Sequence, residues 1–334
     1  MGLLLRRLTR RSAAFAHSPA VLITFSAYLF AVTTLCVASI TEFTDPAAEF
    51  SYNHVGYETQ LTGDGVSGRL ENIYASCLWQ LIGLLLMAVS QSVLRGVTFG
   101  DIDMVGEVTG MTEQARKEGY GRNIAAAIVE GGAVVSAGLV SAANIGGAPK
   151  GWGEGKIVKL SRFVAVRLAN PKSITISDIL STLLFFVLSQ LGFIIYTKVF
   201  DVFFIHGTLQ QALQKPLDEE HEIPMPHGAP ALKRGNVAVA ISYACTMVSF
   251  AMLISNAVYK SYELASFGVW FVLGGFLQLL FREILDRAIA PGRDLDDALD
   301  QQMNWGFACV IGAMQLSVSR VLVSLMEDTC QGFQ

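Results

Sequence analysis

The sequence predicts an all-α membrane protein of about seven transmembrane helices, one standing alone at the N-terminus and six forming three parallel two-helix repeats. Three observations carry this reading: apolar runs of membrane-crossing length, charges confined to the connectors, and a recurring pattern of small residues along alternate runs. Apolar residues make up 52% of the 334 positions and charged residues 16%, with a mean hydropathy of +0.46. Soluble domains carry roughly 25% charged residues. Crossing a hydrocarbon core of about 30 Å takes about 20 helical residues. Seven runs reach that length, at 19–41, 73–94, 123–147, 179–204, 236–258, 264–285 and 304–326.

The first run, from Pro19 to Thr41, contains no charge. Residues 1–18 before it carry Arg6, Arg7, Arg10 and Arg11, and no acid precedes Glu42. That flank is either the basic side of an anchor that stays on the cytoplasmic or matrix face or an Arg- and Ser-bearing organellar targeting segment. The connector 42–72 is acidic, with Glu42, Asp45, Glu49, Glu58, Asp64 and Glu71 against Arg69, as the opposite face requires. The connector 148–178 breaks this pattern, because Lys150, Lys156, Lys159, Arg162, Arg167 and Lys172 make it basic. Its apolar stretch 157–168 predicts a segment lying at the bilayer surface with its cations on headgroups. Hairpins then occupy 73–147, 179–258 and 264–326, and a short tail covers 327–334.

The repeat emerges when the third, fifth and seventh runs are aligned on the asparagines that open them, Asn123, Asn236 and Asn304. At +2 stand Ala125, Ala238 and Gly306, and at +4 Ala127, Ala240 and Ala308. At +9 stand Gly132, Cys245 and Ala313, and at +13 Ser136, Ser249 and Ser317. With 100° per residue, the +2, +9 and +13 positions form one stripe of small side chains. Such stripes let helix backbones approach closely in lipid. The run preceding each of these carries a deep glutamine, Gln91, Gln190 or Gln278, and Arg95 and Arg282 follow four residues after the first and third. Each two-span unit keeps the same direction, so the copies are parallel rather than inverted.

The segments Gly235-Asn236-Val-Ala-Val-Ala-Ile241 and Gly121-Arg122-Asn123-Ile-Ala-Ala-Ala-Ile128 resemble the YjfL-like bacterial inner-membrane proteins, the domain of unknown function 350 family. The resemblance covers about residues 75–325 and departs from the pattern at Trp305 and Gly306. The resemblance is to small four-span proteins, so it implies an extra hairpin and an added first span here, and it brings no activity, ligand or catalytic residue with it.

Glu130 is the polar residue of most interest, because it lies seven positions into the third run, about 10 Å along the axis by helical rise. A carboxylate there is costly unless partnered, hydrated or protonated. With Gln91, Gln190 and Gln278 it forms the candidate intramembrane polar site. One reading is a proton or cation site; the other is a Glu that pairs with an Arg or reaches the interface. The glutamines and asparagines likewise either line a path or hydrogen-bond between helices.

A net charge of −4 without a block of like charges leaves no footprint for nucleic acid. Cys36, Cys77, Cys245 and Cys309 sit in apolar runs, Cys330 lies near the end, and no CxxC spacing occurs, so no metal or redox site is expected. His221 and His227 lie among Asp218, Glu219, Glu220 and Glu222, but prolines spread them in a solvated loop. HExxH and GxSxG motifs are absent, and Gly155-Lys156 lacks the earlier Gly and the following Ser or Thr of a phosphate loop. The expectation is a non-enzymatic multi-span protein without cofactor, in a structural, assembly or membrane-stress role. The alternative is a small-ion or proton channel or transporter. The expected partners are the lipid bilayer and either a second copy or other membrane proteins.

Overall fold

Seven long apolar helices, each able to cross a membrane, dominate the computed structural model. It describes residues 18–44, 66–100, 102–110, 123–146, 176–204, 209–214, 235–260, 264–289, 299 and 303–331. In chain order the spanning helices are α1 (Pro19–Thr44), α2 (Val66–Thr98), α4 (Ile124–Gly146), α5 (Ile176–Phe204), α7 (Val237–Lys260), α8 (Leu264–Ile289) and α9 (Trp305–Gln331). Two single-turn pieces, α3 (Met104–Thr109) and α6 (Leu209–Gln214), precede α4 and α7. The connectors are shorter than predicted, since α1 takes in residues 42–44, α2 residues 66–72 and α5 residues 176–178. The rest of the acidic and basic connectors, the surface stretch 157–168 included, lies outside the described residues, as do the histidine-bearing loop and Arg6, Arg7, Arg10 and Arg11.

The helix starts follow from local chemistry. The Oδ1 atoms of Asn123, Asn236 and Asn304 accept bonds from backbone N–H groups in the first turn, those of Ala126 (3.0 Å), Ala238 (3.0 Å) and Phe307 (3.2 Å). These side chains satisfy donors that a helix start otherwise leaves unpaired. In α1 the place of the asparagine is taken by Ser18, whose carbonyl accepts from Leu22, four residues on, as the asparagine carbonyls accept from Ala127, Ala240 and Ala308. Pro19 at the first helical position loses nothing, since its N–H has no helical partner there.

Two layers result. The first is a row, α1–α4–α7–α9, and the second holds α2, α5 and α8, each lying against two neighbours of the row. Close contacts between row members join equal heights, so the four helices run parallel. A methyl group built on Gly131 would lie 3.5 Å from Ala27 Cβ, one on Gly132 would lie 2.7 Å from Ala244 Cβ, and one on Gly312 would lie 2.6 Å from Cys245 Sγ. Counted from Ser18, Asn123, Asn236 and Asn304, each of these contacts sets position +9 of one helix against +8 of the next.

The first span therefore does not stand apart as an added anchor: α1 packs along α4, with Gly138 facing Ala31 so closely that a methyl group would come within 2.6 Å of its Cβ. The small-residue stripe also needs correction at its last copy. Ala127, Ala240 and Ala308 are fully buried, as are Ser136 and Ser249, whose hydroxyls find no partner among the described residues and so contribute by size. Ser317, expected in the packed stripe, is instead exposed and, among the described residues, bonds to Ala313 O of its own helix. The outer faces of α2, α5 and α8 carry large apolar side chains such as Leu81, Leu85, Leu191, Val272 and Phe276, as lipid contact requires.

Candidate functional site

The polar residues inside the bundle fall into separate clusters at helix junctions, two between the layers and one within the second layer. The first joins α1, α2 and α4. Gln91 and Arg95 share a face of α2 because they are four residues apart. Arg95 Nε donates to Glu130 Oε1 at 3.1 Å, and its Nη2 pairs closely with the same oxygen. Arg95 Nη2 also donates to Tyr28 Oη at 3.3 Å, and Tyr28 Oη donates in turn to Gln91 Oε1 at 2.9 Å. The chain Gln91–Tyr28–Arg95–Glu130 thus ties three helices together. The Glu130 side chain is 3% exposed and that of Arg95 32%, so the carboxylate is the sealed end and the guanidinium the open one.

Beside this chain lies a pocket of about 430 Å³, its open mouth included, walled by Val21, Thr24 and Phe25 of α1 and by Met104 and Val108 of α3. The turn α3 is positioned from within: Asp103 Oδ1 caps Gly106 N at 3.0 Å, and Gly110, with φ +66°, ends it. Glu107 O of that turn accepts from Asn123 N at 3.1 Å, which fixes α3 against the start of α4. Among the described residues no group of three His, Cys, Asp or Glu side chains gathers as metal ligands would.

The remaining glutamines lie elsewhere. Gln190 Oε1 accepts from Ser90 Oγ at 2.9 Å, joining α5 to α2. Gln278 Nε2 donates to Gln315 O at 3.1 Å while its Oε1 accepts from Ser319 Oγ at 3.1 Å, joining α8 to α9. Thr246 Oγ1 donates to Gln315 Oε1 at 2.6 Å, extending that cluster to α7. Glu130 and Gln91 are therefore brought together, Gln190 is one helix away from them, and Gln278 belongs to a different junction. Sequence reasoning missed Tyr28, Thr246, Gln315 and Ser319. Counting the first span from Ser18 would have found Tyr28, which stands at +10, where Thr246 stands in its own helix.

A third set of bonds runs along one end of the row. Asn123 Nδ2 donates to Leu213 O of α6, and Asn236 Nδ2 donates to Leu299 O, both at 2.7 Å. Each asparagine caps its own helix and grips the turn that precedes the next one. Gly235, with φ +91°, makes room: a methyl group there would lie 2.6 Å from Asn123 Oδ1 and from Ala125 Cβ. Asn304 caps α9 but donates to no carbonyl among the described residues. Asn236→Ala is therefore expected to cost more than Asn304→Ala. Both lose a cap, typically about 1 kcal/mol, and only Asn236 also loses an interhelical bond of about 0.6 to 1.7 kcal/mol. Thermal unfolding in lipid nanodiscs checks the order, and equal losses would contradict it.

A family model described as Domain of Unknown Function (DUF350) matches the chain over residues 3–145 and 227–326. The match takes in α1, α2 and α4 and then α7, α8 and most of α9, so the first span falls within it. Comparison with curated proteins and with solved structures finds no significant match.

Proposed function

We propose that this chain, which belongs to the domain of unknown function 350 family, has a non-enzymatic structural or assembly role in its membrane. One observation carries the reading: Glu130 and the deep glutamines Gln91, Gln190 and Gln278 each bond to a group on a neighbouring helix. Glu130, the strongest candidate for an ion site, meets the guanidinium of Arg95 rather than an unpaired cavity wall. An ion path needs groups that bind and release in turn, and here the carboxylate is seated on Arg95 across the junction of α2 and α4. Gln190 and Gln278 are engaged in the same way with Ser90, Gln315 and Ser319.

A second reading, proton or small-cation transport, draws on the pocket that reaches Arg95 and Glu130 and on the part-exposed guanidinium at its edge. The two readings differ in liposomes. Purified protein reconstituted at known density is expected to leave proton and potassium permeability at the level of protein-free vesicles. A flux above that level that Glu130→Gln abolishes would sink the structural reading in favour of transport.

A further inference from the structure

We propose that copies of this chain join head to tail in the membrane, α9 of one copy receiving α1 of the next and making the row's own contact a fourth time. The inference extends the assembly reading by naming the partner as a second copy.

Each row helix has two faces. The receiving face, at positions +2, +9 and +13, is covered on α1, α4 and α7, where all but the part-buried Cys245 are buried. On α9 the same positions, Gly306, Ala313 and Ser317, are exposed. The entering face, at +4, +8, +11 and +15, is buried throughout α4, α7 and α9. On α1 the same positions, Leu22, Ser26, Leu29 and Thr33, are exposed. The described residues therefore make the interface three times and leave its two halves unmatched on α1 and α9. Extending the +9 to +8 rule sets Ala313 of one copy against Ser26 of the next.

Three further observations favour a second copy over lipid on these faces. Many exposed side chains of α2, α5 and α8 are large, as with Leu81, Leu191 and Val272, and the exposed small ones of α2, Ala88, Ser92 and Gly96, do not repeat a row position, whereas Gly306, Ala313 and Ser317 of α9 fall on the positions that are packed in the rest of the row. The amides of Asn123 and Asn236 each donate to a carbonyl of the following unit, and Asn304 alone of the three has no such acceptor among the described residues. Finally, α1 and α9 run parallel, so a head-to-tail pair keeps both copies in one membrane orientation; an antiparallel pair of edges would have required an inverted copy. The two faces lie about 150° apart around each helix at 100° per residue, so the contact is heterologous and propagates into a ring or a row. Each internal junction is covered by α2, α5 or α8, and the junction between copies has no such cover in the described chain. It is expected to be looser than the internal ones, and its test belongs in intact membranes.

Two differently tagged chains, both freed of their native cysteines, are co-expressed, one carrying Ser26→Cys and the other Ala313→Cys, and the membranes are oxidised with copper phenanthroline. The proposal expects a mixed-tag disulfide dimer several-fold above that from Ser26→Cys with Leu184→Cys, whose second site faces lipid on α5. Yields equal to that control overturn it. So does a Ala313→Cys pair that forms as readily as the mixed one, because that result means a symmetric contact. Should the cysteine-free chain fail to fold, a benzoylphenylalanine photocrosslinker at Ser26 in the otherwise native chain keeps the question open to decision. Its adduct is expected on α9 of a second copy and to fall several-fold with Ala313→Phe; an adduct found only on lipid, or unchanged by Ala313→Phe, overturns the proposal.

Discussion

Arg95→Leu is expected to be the most destabilising single change at the polar junctions, by about 3 to 5 kcal/mol, the range seen when one partner of a buried ion pair is removed. The asymmetry of the pair sets the order of the variants. Glu130 is 3% exposed in its side chain, so without Arg95 its carboxylate faces Tyr28 and the apolar wall of the pocket. Glu130→Gln leaves Arg95, one-third exposed, able to turn toward the pocket mouth and keeps an acceptor for its N–H groups. It is expected to cost less. The double variant Arg95→Leu with Glu130→Leu is expected to recover most of the loss, because replacing both members of a buried pair by apolar groups is often near neutral. Thermal unfolding in nanodiscs reads all three. A double variant no more stable than Arg95→Leu would show that the pair does not act as a unit, and with it the view of Glu130 as a helix clamp would fall.

The spans were legible because the bilayer imposes a length and an apolar composition that few other contexts share. The predicted run 236–258 and the observed α7, Val237–Lys260, differ by only a residue or two. The asparagine alignment was legible as well, and the caps it marks are visible in Asn123, Asn236 and Asn304. The first span was misread because Ser18 replaces the asparagine and Leu22 replaces the alanine at +4, so the small residues Ala20, Ala27 and Ala31 lost their reference point. The polar chain was harder to see for a different reason. Arg95 and Gln91 announce a shared helix face, but their partners come from 35 and 63 residues away, Glu130 and Tyr28. Only the packing of α2 across α1 and α4 chooses them. Likewise a lone Gln278 does not reveal that its partners are a backbone carbonyl and Ser319 on α9.

Gly132→Val is the second change expected to have a large effect, and it addresses the row itself. A Cβ at this position would lie 2.7 Å from Ala244 Cβ and 2.8 Å from Ala244 Cα. The obstacle is backbone, which cannot rotate away, so α4 and α7 must separate. Overpacking of this kind typically costs about 1 to 3 kcal/mol, occasionally more. Here separation also pulls on the neighbouring bonds, since Gly235 sits against Asn123 and Ala125 at the same junction. The upper end of that range, or beyond it, is therefore expected. Gly268→Ala supplies the contrast, because nothing lies within 4 Å of a methyl group there. It is expected to be neutral or to stabilise α8 by up to about 1 kcal/mol through helix propensity. Gly138→Val carries the same reasoning to the first span, where a Cβ would lie 2.6 Å from Ala31 Cβ and 2.9 Å from its Cα. An α1 that served only as a separate anchor would leave the unfolding of the remaining helices indifferent to that substitution. An α1 that is the first member of the row makes Gly138→Val about as costly as Gly132→Val, and the ratio of the two losses measures how fully the first span belongs to the fold.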